Sequence, residues 1–71
     1  MITLKLVGDD YYDAEDDCYV MTVGASIESI KANVKINDDG TIWECYLLSV
    51  EFLPSQGRGM RDKYLLKYRV Y

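Results

Sequence analysis

The stretch IKANVKINDDGTIWECYLLSVEFL, residues 30–53, decides the fold. At its centre stands the segment 37–40, Asn-Asp-Asp-Gly, in which glycine accepts the positive φ that a tight hairpin turn requires. Apolar and polar residues alternate on both sides of this segment, with the period of two that is typical of a strand with one buried face. The stretch therefore predicts two antiparallel strands, one beginning at about Ile30 and one over 41–53, joined by a tight turn.

The second of these strands changes the parity of its apolar residues half-way along its length. In a regular strand the apolar residues of the two halves would face opposite sides: Trp43, Cys45 and Leu47 in the first half, and Leu48, Val50 and Phe52 in the second. A β-bulge or a strong bend at Leu47-Leu48 would turn both sets inward. Bends of this kind curl small sheets into barrels, so we expect a curled sheet.

The remainder of the chain supplies further strand patterns and loops. Strand patterns cover 2–7, 18–23 and 63–71, a loop pattern covers 54–61, and 8–17 is predicted to be a loop or an irregular edge. Ser26 could also cap a short helix near residue 27. We therefore predict an all-β fold, a small curled antiparallel sheet or half-open barrel of about five strands, with an α+β fold containing one short helix as the alternative. A chain of 71 residues is expected to form one small domain, residues 1–71.

The composition argues against catalysis. The sequence has no histidine, which removes the commonest general base and the commonest metal ligand. Its two cysteines, Cys18 and Cys45, are too few for a Cys-only metal site, and we expect two buried thiols rather than a disulfide. The paired carboxylates fall in a segment that we expect to be exposed, where nothing would raise a carboxyl pKa. We therefore expect no enzymatic activity, no cofactor and no metal.

The expected location follows from two missing patterns. The first residues show neither the basic region nor the apolar region of a signal peptide. No apolar run approaches the roughly 18 residues of a membrane span. We therefore expect a cytoplasmic protein that does not contact a membrane.

A glycine-containing segment resembles a known cofactor-binding motif. Residues 48–60, which include the segment Gln-Gly-Arg-Gly at 56–59, are similar to the acyl-CoA pyrophosphate loop of N-acetyltransferases. The resemblance implies a loop that cradles phosphates and leads into a long helix. The sequence departs from the family pattern at Arg61, where the family prefers a small residue, and it lacks the glycines and the lysine of other phosphate loops. We therefore expect an ordinary glycine-containing loop between two strands.

Charge is distributed unevenly along the chain. Residues 1–53 hold eleven acids and three bases, whereas residues 54–71 hold five bases and one acid. The densest acidic stretch, residues 9–17, contains six carboxylates and no lysine or arginine. Such a stretch is most often a solvated surface that keeps a protein soluble, and it could also pair with the basic segment of the same chain. A calcium loop is disfavoured, because Cys18 stands where the glycine of such a loop belongs.

An extended acidic stretch could also imitate a nucleic-acid strand. Asp13, Glu15 and Asp17 would then lie on one side about 6.6 Å apart, a spacing close to that of phosphates along a backbone, and tyrosine rings could replace stacked bases. In size, acidity and tyrosine content the chain is similar in general character to phage-encoded inhibitors of host defence, including anti-CRISPR proteins and DNA mimics. The resemblance implies a non-enzymatic module in the host cytoplasm that docks into the basic groove of a nucleic-acid-binding protein. The expected docking residues are Asp9, Asp10, Tyr11, Tyr12, Asp13, Glu15, Asp16 and Asp17.

Two alternatives remain open from the sequence. The first is a small barrel that binds single-stranded nucleic acid through a segment in which bases and aromatic residues are interleaved. The candidate residues are Arg58, Arg61, Lys63, Tyr64, Lys67 and Tyr68. This alternative is the weaker one, because the excess of acids elsewhere would repel a polyanion. The second is a structural subunit, for example of a homodimer, whose oppositely charged ends pair between copies.

Overall fold

The computed structural model describes residues 2–24 and 30–71, and in these two stretches it contains six β-strands and no helix. The strands are β1 (Thr3–Lys5), β2 (Tyr11–Asp13), β3 (Cys18–Gly24), β4 (Asn33–Asp38), β5 (Thr41–Leu53) and β6 (Lys63–Val70). They form one curled half-barrel sheet, which confirms the all-β fold that the alternation predicts. The alternative of a short helix near residue 27 lies outside the described residues.

The order of strands in the sheet is β1-β4-β5-β6-β3-β2. Every neighbouring pair is antiparallel except β1 and β4, which run parallel with Thr3 opposite Lys35. The sheet is therefore mixed, whereas the sequence predicts an antiparallel one. A further difference is β2, which lies within the segment predicted to be a loop or an irregular edge and pairs with β3.

The turn between β4 and β5 has the predicted geometry. Asp38 is opposite Thr41, so Asp39 and Gly40 alone connect the strands, with φ of 48° and 89°. Both turn residues thus have the positive φ of a type I′ turn, which matches the twist of the paired strands. The backbone N–H of Gly40 donates to Oδ1 of Asn37 at 2.9 Å, so the side chain of the residue just before the turn holds the turn in place.

Strand β4 begins at Asn33, three residues later than the alternation predicts. Before it, the carbonyl oxygen of Ala32 still accepts from the N–H of Leu47 in β5 at 2.8 Å, but the backbone of Lys31 is bonded to a side chain. The hydroxyl of Tyr68 donates to the carbonyl oxygen of Lys31 at 3.0 Å and accepts from its N–H at 3.4 Å. This double contact satisfies the polar groups of Lys31 outside the sheet.

The predicted bulge in β5 is present. The pairing of β5 with β6 shifts between Leu47, which is opposite Tyr68, and Ser49, which is opposite Lys67. Leu48 is therefore the extra residue, and it is 40% exposed instead of turned inward as the sequence suggests. Because of the bulge, the apolar side chains in the second half of β5 lie on the same face of the sheet as those in the first half. Val50, for example, is opposite the buried Leu66.

The core lies on the concave face of the curled sheet. It consists of Tyr19, Met21, Val34, Ile36, Cys45, Leu66 and Tyr68, each at most 3% exposed. Because neighbours along a strand alternate in direction, Cys18 and Val20 project from β3 to the opposite, convex face, where they are also buried. Cys18 and Cys45 are both free and buried, which confirms the expectation of two buried thiols.

Candidate binding site

Residues 9–17 contain the short strand β2, which pairs with β3, and the turn that joins the two strands. We call residues 9–17 the acidic hairpin. The segment 14–17 is a turn and not an extended strand, and Asp17 has a φ of 51°. Oδ1 of Asp13 accepts from the backbone N–H of Glu15 at 3.0 Å and from that of Asp16 at 3.3 Å. The extended row of alternate carboxylates expected from the sequence is therefore wrong, because the carboxylate of Asp13 bonds the backbone that follows it and closes a turn.

Three of the six carboxylates hold the acidic hairpin in place. Besides the turn made by Asp13, Oδ1 of Asp10 accepts from the N–H of Thr22 at 3.1 Å and its Oδ2 accepts from the N–H of Val7 at 3.4 Å. The hydroxyl of Tyr12 donates to Oδ1 of Asp17. These bonds give the acidic hairpin one defined shape.

The remaining carboxylates are free or weakly paired. Within residues 2–24 and 30–71, the carboxylates of Asp9 and Glu15 form no hydrogen bond and no ion pair, and both residues are exposed. Oδ2 of Asp16 lies 3.9 Å from Nζ of Lys67, an ion pair in which both side chains are partly exposed. Exposed pairs of this kind contribute little, about 0 to 1 kcal/mol.

The basic strand β6 contacts the acidic hairpin mainly through the hairpin's backbone. Nη2 of Arg69 donates to the carbonyl oxygen of Asp16 at 2.9 Å, and Nε donates to the carbonyl oxygen of Asp17 at 3.3 Å. The guanidinium thus binds peptide oxygens and leaves the carboxylates of these residues unbonded to it. Internal pairing, the alternative left open by the sequence, engages one of the six carboxylates in the described part of the chain.

The two adjacent tyrosines of β2 face opposite sides of the sheet. Tyr11 is opposite Val20 and so shares the convex face, whereas Tyr12 is opposite Tyr19 and shares the concave face. The rings of Tyr12 and Tyr19 pack at a centroid distance of 5.1 Å with their planes tilted by 58°. Both Tyr11 and Tyr12 are exposed, at 53% and 44%. The acidic hairpin therefore offers one ring on each face and no continuous tyrosine surface.

A cleft of about 510 Å³ opens beside Tyr12 on the concave side. We call it the aromatic cleft. It is lined by Tyr12, Asp17, Tyr19, Asp38, Trp43, Val70 and Tyr71. The acidic hairpin and the β4–β5 hairpin each contribute an exposed aromatic ring and a carboxylate to it, Tyr12 with Asp17 and Trp43 with Asp38.

Two of the three tyrosines that line the aromatic cleft, Tyr12 and Tyr19, have raised pKa values and remain protonated at neutral pH. The hydrogen bond to Asp17 raises the pKa of Tyr12, and burial raises the pKa of Tyr19 to about 12, with a further contribution from the charge of Asp38. The carboxylate of Asp38 forms no hydrogen bond or ion pair with any described residue. The cleft therefore combines neutral aromatic rings with negative charge.

The structure separates the residues of the basic, aromatic-interleaved segment. Arg58 and Arg61 lie in the exposed loop 54–62, Lys63 and Lys67 face the convex side of β6, and Tyr64 and Tyr68 face the concave side. Tyr68 is completely buried and bonded to Lys31, so it cannot stack on a base. The ring of Tyr64 packs against that of Phe52 at 5.6 Å.

The loop 54–62 is an ordinary connection between antiparallel strands. The N–H of Ser55 donates to Oδ1 of Asp62 at 2.9 Å, and Gly59 has a φ of 79°. The loop leads into β6 and not into a helix, so the resemblance to an acyl-CoA pyrophosphate loop does not extend to the structure.

Comparisons with protein-family models, with curated proteins and with solved structures give no match. In the described part of the chain, no group of three or more acidic or cysteine side chains is arranged to hold a metal ion. The same residues include no helix that is long and apolar enough to cross a membrane.

Trp43 and Asp38, on the β4–β5 side of the aromatic cleft, are not among the site residues predicted from the sequence. The alternation places Trp43 on the inward face and Asp38 in the tight turn, and neither pattern indicates a functional role. One signal was available: the alternation places Asp38 on the same face as Val34 and Ile36, and a carboxylate at an inward position is unusual unless it has a partner or a function. The approach of Tyr12 and Asp17 to these residues depends on the curl of the whole sheet.

Proposed function

We propose that this protein is a small, non-enzymatic binding module whose acidic hairpin docks into the basic groove of a nucleic-acid-binding protein, as a phage-type inhibitor of the anti-CRISPR or DNA-mimic kind would. The observation that carries the proposal is that the carboxylates of Asp9 and Glu15 are unpaired in the described part of the chain. Both residues are exposed, and in the sequence they flank the exposed Tyr11 and Tyr12.

The chemistry of the partner follows from this surface. A groove that binds nucleic acid presents lysine and arginine side chains to phosphates, and carboxylates can occupy the same positions. The hydrogen bonds of Asp10, Asp13 and Asp17 fix the acidic hairpin before it binds. A surface that is already ordered loses less conformational entropy on association than a mobile one.

Direct binding of single-stranded nucleic acid has less support. That alternative needs aromatic rings and cations on one accessible face. Tyr64 and Tyr68 face the concave side while Lys63 and Lys67 face the convex side, and Tyr68 is buried. In addition, Lys67 lies beside Asp16, whose charge would oppose the approach of a phosphate.

The proposal is tested by capture and competition. The protein is immobilised and exposed to a lysate, and retained proteins are identified by mass spectrometry and then purified. We expect a nucleic-acid-binding protein that is released by added DNA, because both ligands need the same groove, and that binds more weakly as salt rises. The protein itself should not shift a labelled oligonucleotide at low salt.

The contribution of the acidic hairpin is measured with two matched variants. The double variant Asp9→Asn and Glu15→Gln should weaken binding to the purified partner about tenfold, which is about 1.4 kcal/mol. The control variant Glu44→Gln and Glu51→Gln makes the same change in net charge on β5, away from the acidic hairpin, and should bind nearly as the unmodified protein does. Equal affinity of the two variants, or a partner that DNA does not displace, would contradict the proposal.

A further inference from the structure

The aromatic cleft indicates which group of a basic partner the protein holds. We propose that it binds the guanidinium of a single arginine side chain, presented by the protein partner whose groove receives the acidic hairpin. This inference rests on the proposed function and adds the identity of the recognised group to it.

The two sides of the aromatic cleft match a flat cation. Tyr12 and Trp43 are 44% and 39% exposed, so each hairpin contributes an aromatic side chain that is partly open to a ligand. A guanidinium is planar and delocalised and stacks well on aromatic rings, and tryptophan is the strongest of these partners. The volume of about 510 Å³ lies within the roughly 300–1,000 Å³ that is usual for ligand clefts.

The charges of the aromatic cleft select a cation over other ligands. Asp17 and Asp38 both line it, and none of the lining residues is a lysine or an arginine. Asp38 has no hydrogen bond or ion pair with any described residue, and Asp17 uses Oδ1 to accept from Tyr12. An anion would be repelled by two carboxylates, and a neutral group would leave the charge of Asp38 without a partner.

Arginine fits better than lysine for a geometric reason. A guanidinium carries five N–H donors in a rigid fork and can bond a carboxylate while its plane stays on a ring. An ammonium is a compact and more strongly hydrated charge that cannot do both in this way. The protein's own nearby guanidinium, that of Arg69, is already bonded to the carbonyl oxygens of Asp16 and Asp17.

The chain contains its own reporter for this inference, because Trp43 is its single tryptophan. Its fluorescence is followed while a short glycine- and serine-flanked peptide with one arginine is added. Two control peptides carry lysine or citrulline at the same position, and citrulline keeps the shape of arginine without its charge. We expect saturable quenching by the arginine peptide, binding several-fold weaker by the lysine peptide, and binding at least tenfold weaker by the citrulline peptide.

Two variants assign the binding to the aromatic cleft. Asp38→Asn should weaken binding of the arginine peptide about tenfold, and Glu51→Gln, which makes the same charge change on the convex side of β5, should leave it unchanged. Thermal unfolding of both variants checks the fold, and Asp17→Asn serves as the second cleft variant if Asp38→Asn unfolds. Equal binding of the arginine and citrulline peptides, or no effect of either cleft variant, would overturn the inference.

This test and the test of the proposed function can fail separately. If a DNA-displaced partner depends on Asp9 and Glu15 but the arginine peptide does not bind, the docking proposal stands and the inference about the cleft is wrong. If the arginine peptide binds through Asp38 but no captured partner is displaced by DNA, the cleft chemistry stands and the docking proposal is wrong.

Discussion

Each face of the sheet buries one cysteine, but the surroundings of the two thiols differ. Cys45 on the concave face and Cys18 on the convex face are both completely buried. Burial alone raises the pKa of the Cys45 thiol to about 11. Burial is also the main cause that raises the pKa of Cys18, but there Asp13 and Asp16 raise it further while Lys67 and Arg69 lower it.

The difference shows what each face does for the molecule. The concave side is an apolar core made by strands that curl around it, so its stability comes from the hydrophobic effect and close packing. The convex side of β3 lies among charged side chains that also attach the acidic hairpin to β6. The core therefore stabilises the fold, while the contacts on the convex side fix the position of the acidic hairpin.

The largest expected effect compares one substitution on the two faces. Val34→Ala removes methyl groups from the concave core and should lower the free energy of unfolding by about 2 to 3 kcal/mol. Val20→Ala makes the same chemical change on the convex face, where charged side chains and water can refill the space, and should cost about 1 kcal/mol. Urea unfolding of both variants measures the difference, and equal losses would show that the two faces are packed alike.

The next largest expected effect is on the pH dependence of stability, which should depend more on the concave face than on the convex face. The pKa of Cys45 is raised from 9.0 to about 11 and that of Tyr19 from 10.0 to about 12, both on the concave face. Groups whose folded-state pKa is raised stabilise the fold below their unfolded pKa, and this stabilisation is lost as the pH rises through the folded value. The urea midpoint should therefore fall between pH 9 and pH 12. Cys45→Ala should flatten the first part of this fall, and Cys18→Ala should flatten it less.

The smallest expected effect concerns the attachment of the acidic hairpin. Arg69→Met removes two charge-assisted hydrogen bonds to the carbonyl oxygens of Asp16 and Asp17, and should cost about 1 kcal/mol at this partly exposed position. Lys67→Met removes only an exposed ion pair and should cost less than about 0.5 kcal/mol. Amide hydrogen exchange of residues 14–17 should increase in the first variant and change little in the second. The reverse order would mean that the ion pair, not the backbone contact, holds the turn.

The features that the sequence predicts correctly are local. Asp39 and Gly40 require a tight turn whatever surrounds them, and the bounds of β5 follow from the alternation that begins after the turn. The bulge was predictable because a parity change at Leu47-Leu48 has few structural solutions. Each of these inferences depends on residues that are close in the sequence.

The features that the sequence does not reveal depend on distant residues. The parallel pairing of β1 with β4 joins segments about thirty residues apart, and the alternation in either one is the same for a parallel or an antiparallel neighbour. Tyr68 is buried in the core, and its hydroxyl bonds the backbone of Lys31, which lies 37 residues earlier in the chain. The aromatic cleft exists only because curvature brings Tyr12 towards Trp43, and no local pattern encodes that distance.

The position of β1 and β2 at the two ends of the strand order has a consequence for self-association. An unclosed sheet leaves rows of unpaired peptide groups that can template the addition of foreign strands and so begin a fibril. Here each outer strand is only three residues long, and each ends in a charged residue, Lys5 or Asp13. A strand from another molecule would gain few hydrogen bonds at either edge of the sheet. The half-barrel can therefore remain unclosed with little tendency to polymerise.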